Sequence, residues 1–78
     1  MNRANLGELG TRIRERRKEL GWTQEDLAAA AELDRSYVGS VERGERNLTF
    51  SALCDICAAL KCDVALLTAG LPVSGRRK

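Results

Sequence analysis

Residues 23–44 read TQEDLAAAAELDRSYVGSVERG, two short helical patterns joined by a break too tight for anything but a corner between helices. Thr23 precedes a polar first turn, Gln24, Glu25 and Asp26. Thr-x-x-Asp is a variant of the capping box, in which the Thr oxygen accepts an orphan backbone N–H and the acids suit the positive helix end. The spacing therefore predicts a helix beginning at Gln24. It runs on through Leu27 and four alanines, Ala28 to Ala31, strong helix formers whose small size lets another helix come close. After Glu32 and Leu33, Asp34 is a suitable N-cap for a second helix, Arg35 to about Arg43, which Gly44 is placed to end.

At roughly 100° per residue, Val38 and Val41 fall on one side of this second helix. Arg35, Ser36, Gly39, Ser40 and Arg43 fill the opposite arc. Small side chains let a helix sink into a groove, hydroxyls bond base edges or phosphates, and an arginine meets the O6 and N7 acceptors of guanine with two donors. That arc suits the DNA major groove. The same serines and glycine also fit a weakly decorated surface helix, and the wheel alone leaves both readings open.

Composition narrows the functions. A chain of 78 residues supports one domain, and at this size only about 60 to 65% of the unfolded surface is buried, which leaves little room for a catalytic cleft. With 13 basic and 11 acidic residues the net charge is +2, so DNA affinity has to come from local placement of charge. Histidine is absent, which removes the commonest general base and metal ligand. The three cysteines fall at 54, 57 and 62; no second pair or histidine completes a zinc site, and the spacing of Cys54 and Cys57 is that of one packed helix face. Reduced thiols, no apolar run of spanning length and no signal-peptide core predict a cytoplasmic protein without metal, cofactor or membrane partner.

Along the chain, residues 1–5 are polar and expected to fray. Leu6, Leu9, Ile13 and Leu20 form the stripe of a first helix that Gly21 ends. Its other positions are charged and predict a solvated face, with Arg12 and Arg16 opposed by Glu15 and Glu19. Trp22 is expected to pack at the core or its rim. Thr49 is the expected cap of a fourth helix with a broad apolar face, Phe50, Leu53, Cys54, Ile56, Cys57 and Leu60. Asp63 is the expected cap of a short fifth helix that carries Val64, Leu66 and Leu67 and ends near Gly70. Apolar surface in such excess serves the core, a dimer seam, or both, and Phe50, Val64, Leu66 and Leu67 are the seam candidates. Residues 74–78 form a short basic tail, expected to be mobile.

Arg17, Thr23-Gln24, Leu27-Ala28, Val38, Val41 and Glu42-Arg43-Gly44 together resemble the lambda-repressor-like helix-turn-helix proteins of the Cro and XRE type. Within them, LDRSYVGSVERGERN is most similar to the controller proteins of restriction-modification operons. The resemblance covers about residues 6–70. It implies an all-α, compact five-helix domain over 1–78, ordered at about 6–70, with its helix-turn-helix at 24–43. It implies an ion pair between Arg17 and Glu42. Base readout would fall on Arg35, Ser36, Tyr37 and Ser40, and backbone contact on Thr23, Gln24, Arg43, Arg46 and Asn47, with Gln24 also bracing the head of the recognition helix. Arg43 equally suits the helix C-terminal dipole, and residues 45–47 an ordinary exposed loop. Two positions depart from the family's frequent glycine, Glu32 after helix 2 and Lys61 after helix 4.

The function so implied is a sequence-specific transcriptional regulator. It would bind double-stranded DNA as a homodimer on a pseudo-palindromic operator, at the nucleoid of a bacterium or its phage, with RNA polymerase as a further partner. Restriction-modification control is the expected role; a phage-type repressor or an antitoxin-like autoregulator is the alternative. A protein-interaction module using the helix 4 and 5 face is a reading of a different class. With no histidine and no nucleophile-base pair at usable spacing, no enzyme is expected.

Overall fold

Thr23, Asp34, Thr49 and Asp63 start four helices by the same chemistry, a side-chain oxygen that accepts a backbone N–H of the first turn. At Thr23 the box is reciprocal: Asp26 donates its N–H to Thr23 Oγ1 at 3.1 Å, and Thr23 donates its own to Asp26 Oδ2 at 2.9 Å. The computed structural model describes residues 3–73. Its helices are α1 (Arg3–Glu19), α2 (Gln24–Ala31), α3 (Arg35–Glu42), α4 (Phe50–Ala59) and α5 (Val64–Thr68), with no strand among the described residues. The tail at 74–78 and residues 1–2 lie outside that range. Residues 3–5, expected to fray, instead belong to α1, and Asn5 Oδ1 accepts the N–H of Val73 at 2.8 Å, which ties the two ends of the described chain together.

Ile13, Leu27, Val38, Val41, Ile56, Leu60 and Leu67 form the core, one or more from each helix or its cap, with Trp22 packed part-buried against it. Leu67 is 2% exposed, so it belongs to this core and not to a seam. In a five-residue helix the adjacent Leu66 then has to face out, and it is 55% exposed. Phe50 is 71% exposed and Val64 half-buried, so the large apolar side chains offered outward are Phe50 and Leu66. The three cysteines are free thiols; Cys57 is buried, and burial pushes it up to about 12.

The charged side of α1 is less solvated than expected. Arg12 pairs with Glu8 at 3.0 Å and also donates to the carbonyls of Leu67 and Ala69 at the end of α5. Arg16 pairs with Glu19 and donates to the carbonyls of Leu60 and Lys61 at the end of α4. The predicted opposition of Arg12 to Glu15 is thus replaced by cations placed at the negative ends of two helices, where carbonyls lack helical partners.

Glu32 and Lys61 adopt φ of 58° and 59°, the left-handed region that favours glycine. Glycine at 32 relieves about 1 to 2 kcal/mol of backbone cost but loses about 0.5 to 1 kcal/mol to the entropy of the unfolded chain. Glu32→Gly is therefore expected to raise unfolding stability by about 0.5 to 1 kcal/mol, read by urea titration. A loss of stability would show that the Glu32 side chain contributes more than its backbone costs.

Candidate nucleic-acid interface

The position of α3 is set from beneath by a buried ion pair. Arg17, from α1, donates Nε to Glu42 Oε2 at 2.7 Å and Nη2 to Oε1 at 3.0 Å, with side chains 9% and 2% exposed. A third bond runs from Arg17 Nη1 to the Trp22 carbonyl at 2.8 Å. The bond to Glu42 holds the Arg17 pKa above its ordinary value, against the opposing effect of burial. Two ends of one helix hairpin and the first helix are thereby locked in register.

Gln24 joins the same cluster, donating Nε2 to Glu42 Oε1 at 3.0 Å. Its brace is therefore at the tail of α3, not the head: the first residue of α2 lies beside the last turn of α3. The reason is Gly39. A Cβ there would stand 3.2 Å from Arg43 Nη1 and 3.5 Å from Gln24 Oε1, so the bare backbone lets both side chains fold across the helix. Gly39, placed by the wheel on the outer arc, is consequently buried.

What α3 presents outward is Arg35, Ser36 and Arg43, all exposed, with Tyr37 and Ser40 half-buried beside them. The Ser36 hydroxyl donates to Asp34 Oδ2, and that bond is the main cause of a lowered Asp34 pKa. Ser40 Oγ donates to the Tyr37 carbonyl at 2.8 Å. Both serine donors are thus committed within the helix, and what they retain for a ligand is acceptor capacity. Arg43 pairs with Glu45 at 3.1 Å, and Arg35 donates Nε to Glu25 Oε2 at 3.0 Å. The Arg46 guanidinium lies 4.9 Å from the centroid of the Tyr37 ring, which holds it next to α3. Asn47 is exposed in the following loop, and Thr23 is exposed at the cap of α2.

The structure thus gathers three arginines, Arg35, Arg43 and Arg46, around one short helix whose other side is wholly packed. Sequence reasoning placed Arg35 and Arg43 on one arc and Arg46 in the loop that follows, and missed Glu25 as the partner of Arg35. Opposite charges at the heads of two helices joined by a tight turn are the signal that would have found it. No helix of the described residues is long and apolar enough to cross a membrane.

Comparison with known proteins bears on the same region. A family model described as helix-turn-helix matches residues 13–67. The chain is 42% identical over 59 residues to the control protein C.SmaI of Serratia marcescens, covering 76% of this chain and 70% of that one. Among solved structures it is similar to the restriction-modification controller protein C.AhdI of Aeromonas hydrophila, at 44% identity and a TM-score of 0.80, covering 82% of this chain and 97% of that one. It is also similar to the controller protein C.Esp1396I, solved as a tetramer in complex with its natural 35 base-pair operator, at 39% identity and a TM-score of 0.75, covering 80% and 82% of the two chains.

Proposed function

Because the chain belongs to the Cro/XRE-type helix-turn-helix family, with restriction-modification controller proteins among its relatives, we propose that it regulates such an operon by binding its operator DNA as a homodimer. The observation that carries this reading is the division of α3 and its C-cap, with Val38, Val41 and Glu42 packed against the fold and Arg35, Ser36 and Arg43 turned outward. A helix held this firmly from one side presents the other as a rigid reading edge, which is what discrimination between base pairs needs.

On that edge Arg35 reads a guanine, Ser36 and Ser40 accept from base amines or waters, and Tyr37 supports the neighbouring contact. Thr23, the backbone N–H of Gln24, Arg43, Arg46 and Asn47 set register on the phosphates. One reading edge offers too few contacts for tight specific binding. Two copies related by a twofold axis would address half-sites about 34 Å apart on a pseudo-palindrome, and the exposed Phe50 and Leu66 are the apolar side chains available for that seam. The whole chain acts as one DNA-binding domain. It regulates by position, blocking RNA polymerase when its site overlaps the promoter and recruiting it when the site lies beside.

Arg35→Ala is expected to weaken binding to the preferred duplex by about 1 to 3 kcal/mol per half-site and to relax the base requirement at one position. Fluorescence anisotropy on the preferred duplex and its single-base variants measures both. Equal loss on preferred and unrelated duplexes would remove Arg35 from base readout and leave it a phosphate contact.

A further inference from the structure

The Arg35 guanidinium is held by a carboxylate from a different helix. Glu25 is the second residue of α2 and Arg35 the first of α3, and their bond at 3.0 Å ties the heads of the two helices together. Both side chains are well exposed, 58% for Arg35 and 66% for Glu25, and pairs so exposed contribute little to folding stability. The location is also a costly one for a DNA-binding protein. The first turn of α2 carries orphan N–H groups that suit a phosphate, and an ionised carboxylate there repels it. The Glu25 pKa is nonetheless lowered, first by its own backbone N–H and then by Arg35, which keeps the carboxylate charged.

The atoms used in the bond give it a purpose. Glu25 engages Nε, so the terminal Nη1 and Nη2 of Arg35 are not taken up by this carboxylate. Those two nitrogens form a fork that fits guanine O6 and N7 end-on. An arginine without such a holder swings readily to the nearest phosphate, which exists at every sequence.

We propose that Glu25 is a specificity-determining positioning residue: it holds Arg35 by Nε with the terminal fork aimed at a guanine, and its negative charge disfavours DNA that lacks one. This rests on the DNA-binding reading given above. Glu25 lowers affinity for every duplex by its charge, and lowers it least where the guanine contact is made.

The test is Glu25→Gln, compared with the unaltered protein on the duplex that the unaltered protein enriches from a random pool and on a shuffled duplex, over a salt series. Affinity for the shuffled duplex is expected to rise about threefold to tenfold, and its salt dependence to steepen by about 0.9 in log-log slope per protomer as the freed Arg35 takes a phosphate. The ratio between the two duplexes is expected to fall tenfold or more, with the thermal midpoint unchanged. In an Arg35→Ala background the same substitution is expected to leave the ratio where it was. Equal change on both duplexes, an unaltered salt slope, or the full effect persisting without Arg35 would overturn the assignment while leaving DNA recognition intact. If the unaltered protein enriches no sequence, the DNA-binding reading fails and this inference fails with it.

Discussion

Replacing Glu42 with alanine is expected to remove about 3 to 5 kcal/mol of unfolding stability, because it leaves the Arg17 guanidinium buried without its counter-charge. The two residues share parallel bonds of 2.7 and 3.0 Å in a site that water barely reaches. Arg17 cannot escape by giving up its proton, since an arginine stays charged at any accessible pH. What remains to it after the substitution is the Trp22 carbonyl, and Gln24 loses its acceptor at the same time. A domain of this length has about 4 to 12 kcal/mol in all, at the usual 0.05 to 0.15 kcal/mol per residue. The thermal midpoint is therefore expected to fall by at least about 12 °C. Replacing both partners, Arg17→Met with Glu42→Leu, is expected to recover much of the loss, since a buried pair is worth far less than its breakage costs. Urea titration followed by far-UV circular dichroism measures all three proteins. A loss below about 1 kcal/mol for Glu42→Ala would mean that the pair behaves as a surface one.

Two glycines of α1, one turn apart, are expected to respond to alanine with opposite signs. A Cβ on Gly10 would stand 2.4 Å from the Val41 carbonyl oxygen and 2.6 Å from that of Glu42, both backbone atoms of α3 that cannot rotate away. The helices would have to separate, and overpacking of this kind costs about 1 to 3 kcal/mol and occasionally more. Alanine's helix propensity returns about 1 kcal/mol. With backbone as the obstacle the cost belongs at or above the top of that range, so Gly10→Ala is expected to lose about 2 kcal/mol or more net. Separation of α1 from α3 would also stretch the Arg17–Glu42 pair. At Gly7 a Cβ meets nothing within 4 Å, so Gly7→Ala is expected to gain up to about 1 kcal/mol. Thermal melts of the two variants decide the matter. Similar shifts in both would show that helix propensity, and not contact between backbones, governs this helix.

These two sites show what the sequence could and could not reveal. The caps at Thr23, Asp34, Thr49 and Asp63 were legible because capping depends on residues two or three apart. The apolar stripes were legible for the same local reason. The pairing of Arg17 with Glu42 came from resemblance, since nothing in either residue's neighbourhood specifies a partner 25 positions away. Gly10 read as an ordinary helix position because the atoms that exclude a side chain there belong to another helix. Arg12 and Arg16 read as a solvated face because their acceptors are carbonyls 44 to 57 residues further on. In α5, periodicity over five residues could not separate Leu66 from Leu67, and only the packed structure assigns one to the surface and the other to the core. On the reading edge, residue type and helical phase were legible. The partners that orient each side chain, Glu25 for Arg35 and Tyr37 for Arg46, were not.

Selection of bound sequences from a random duplex pool at two salt concentrations decides whether α3 reads DNA by sequence. A dimeric reader with α3 as its edge predicts enrichment of a pseudo-palindrome carrying a guanine in each half-site, with half-site centres about one helical turn apart, and with the same sequence recovered at both salts. Recovery of no preferred sequence, with weak binding that disappears as salt is raised, would rule out such a reader: the contact would be electrostatic alone, and the exposed apolar side chains Phe50 and Leu66 would then point to a protein-interaction module.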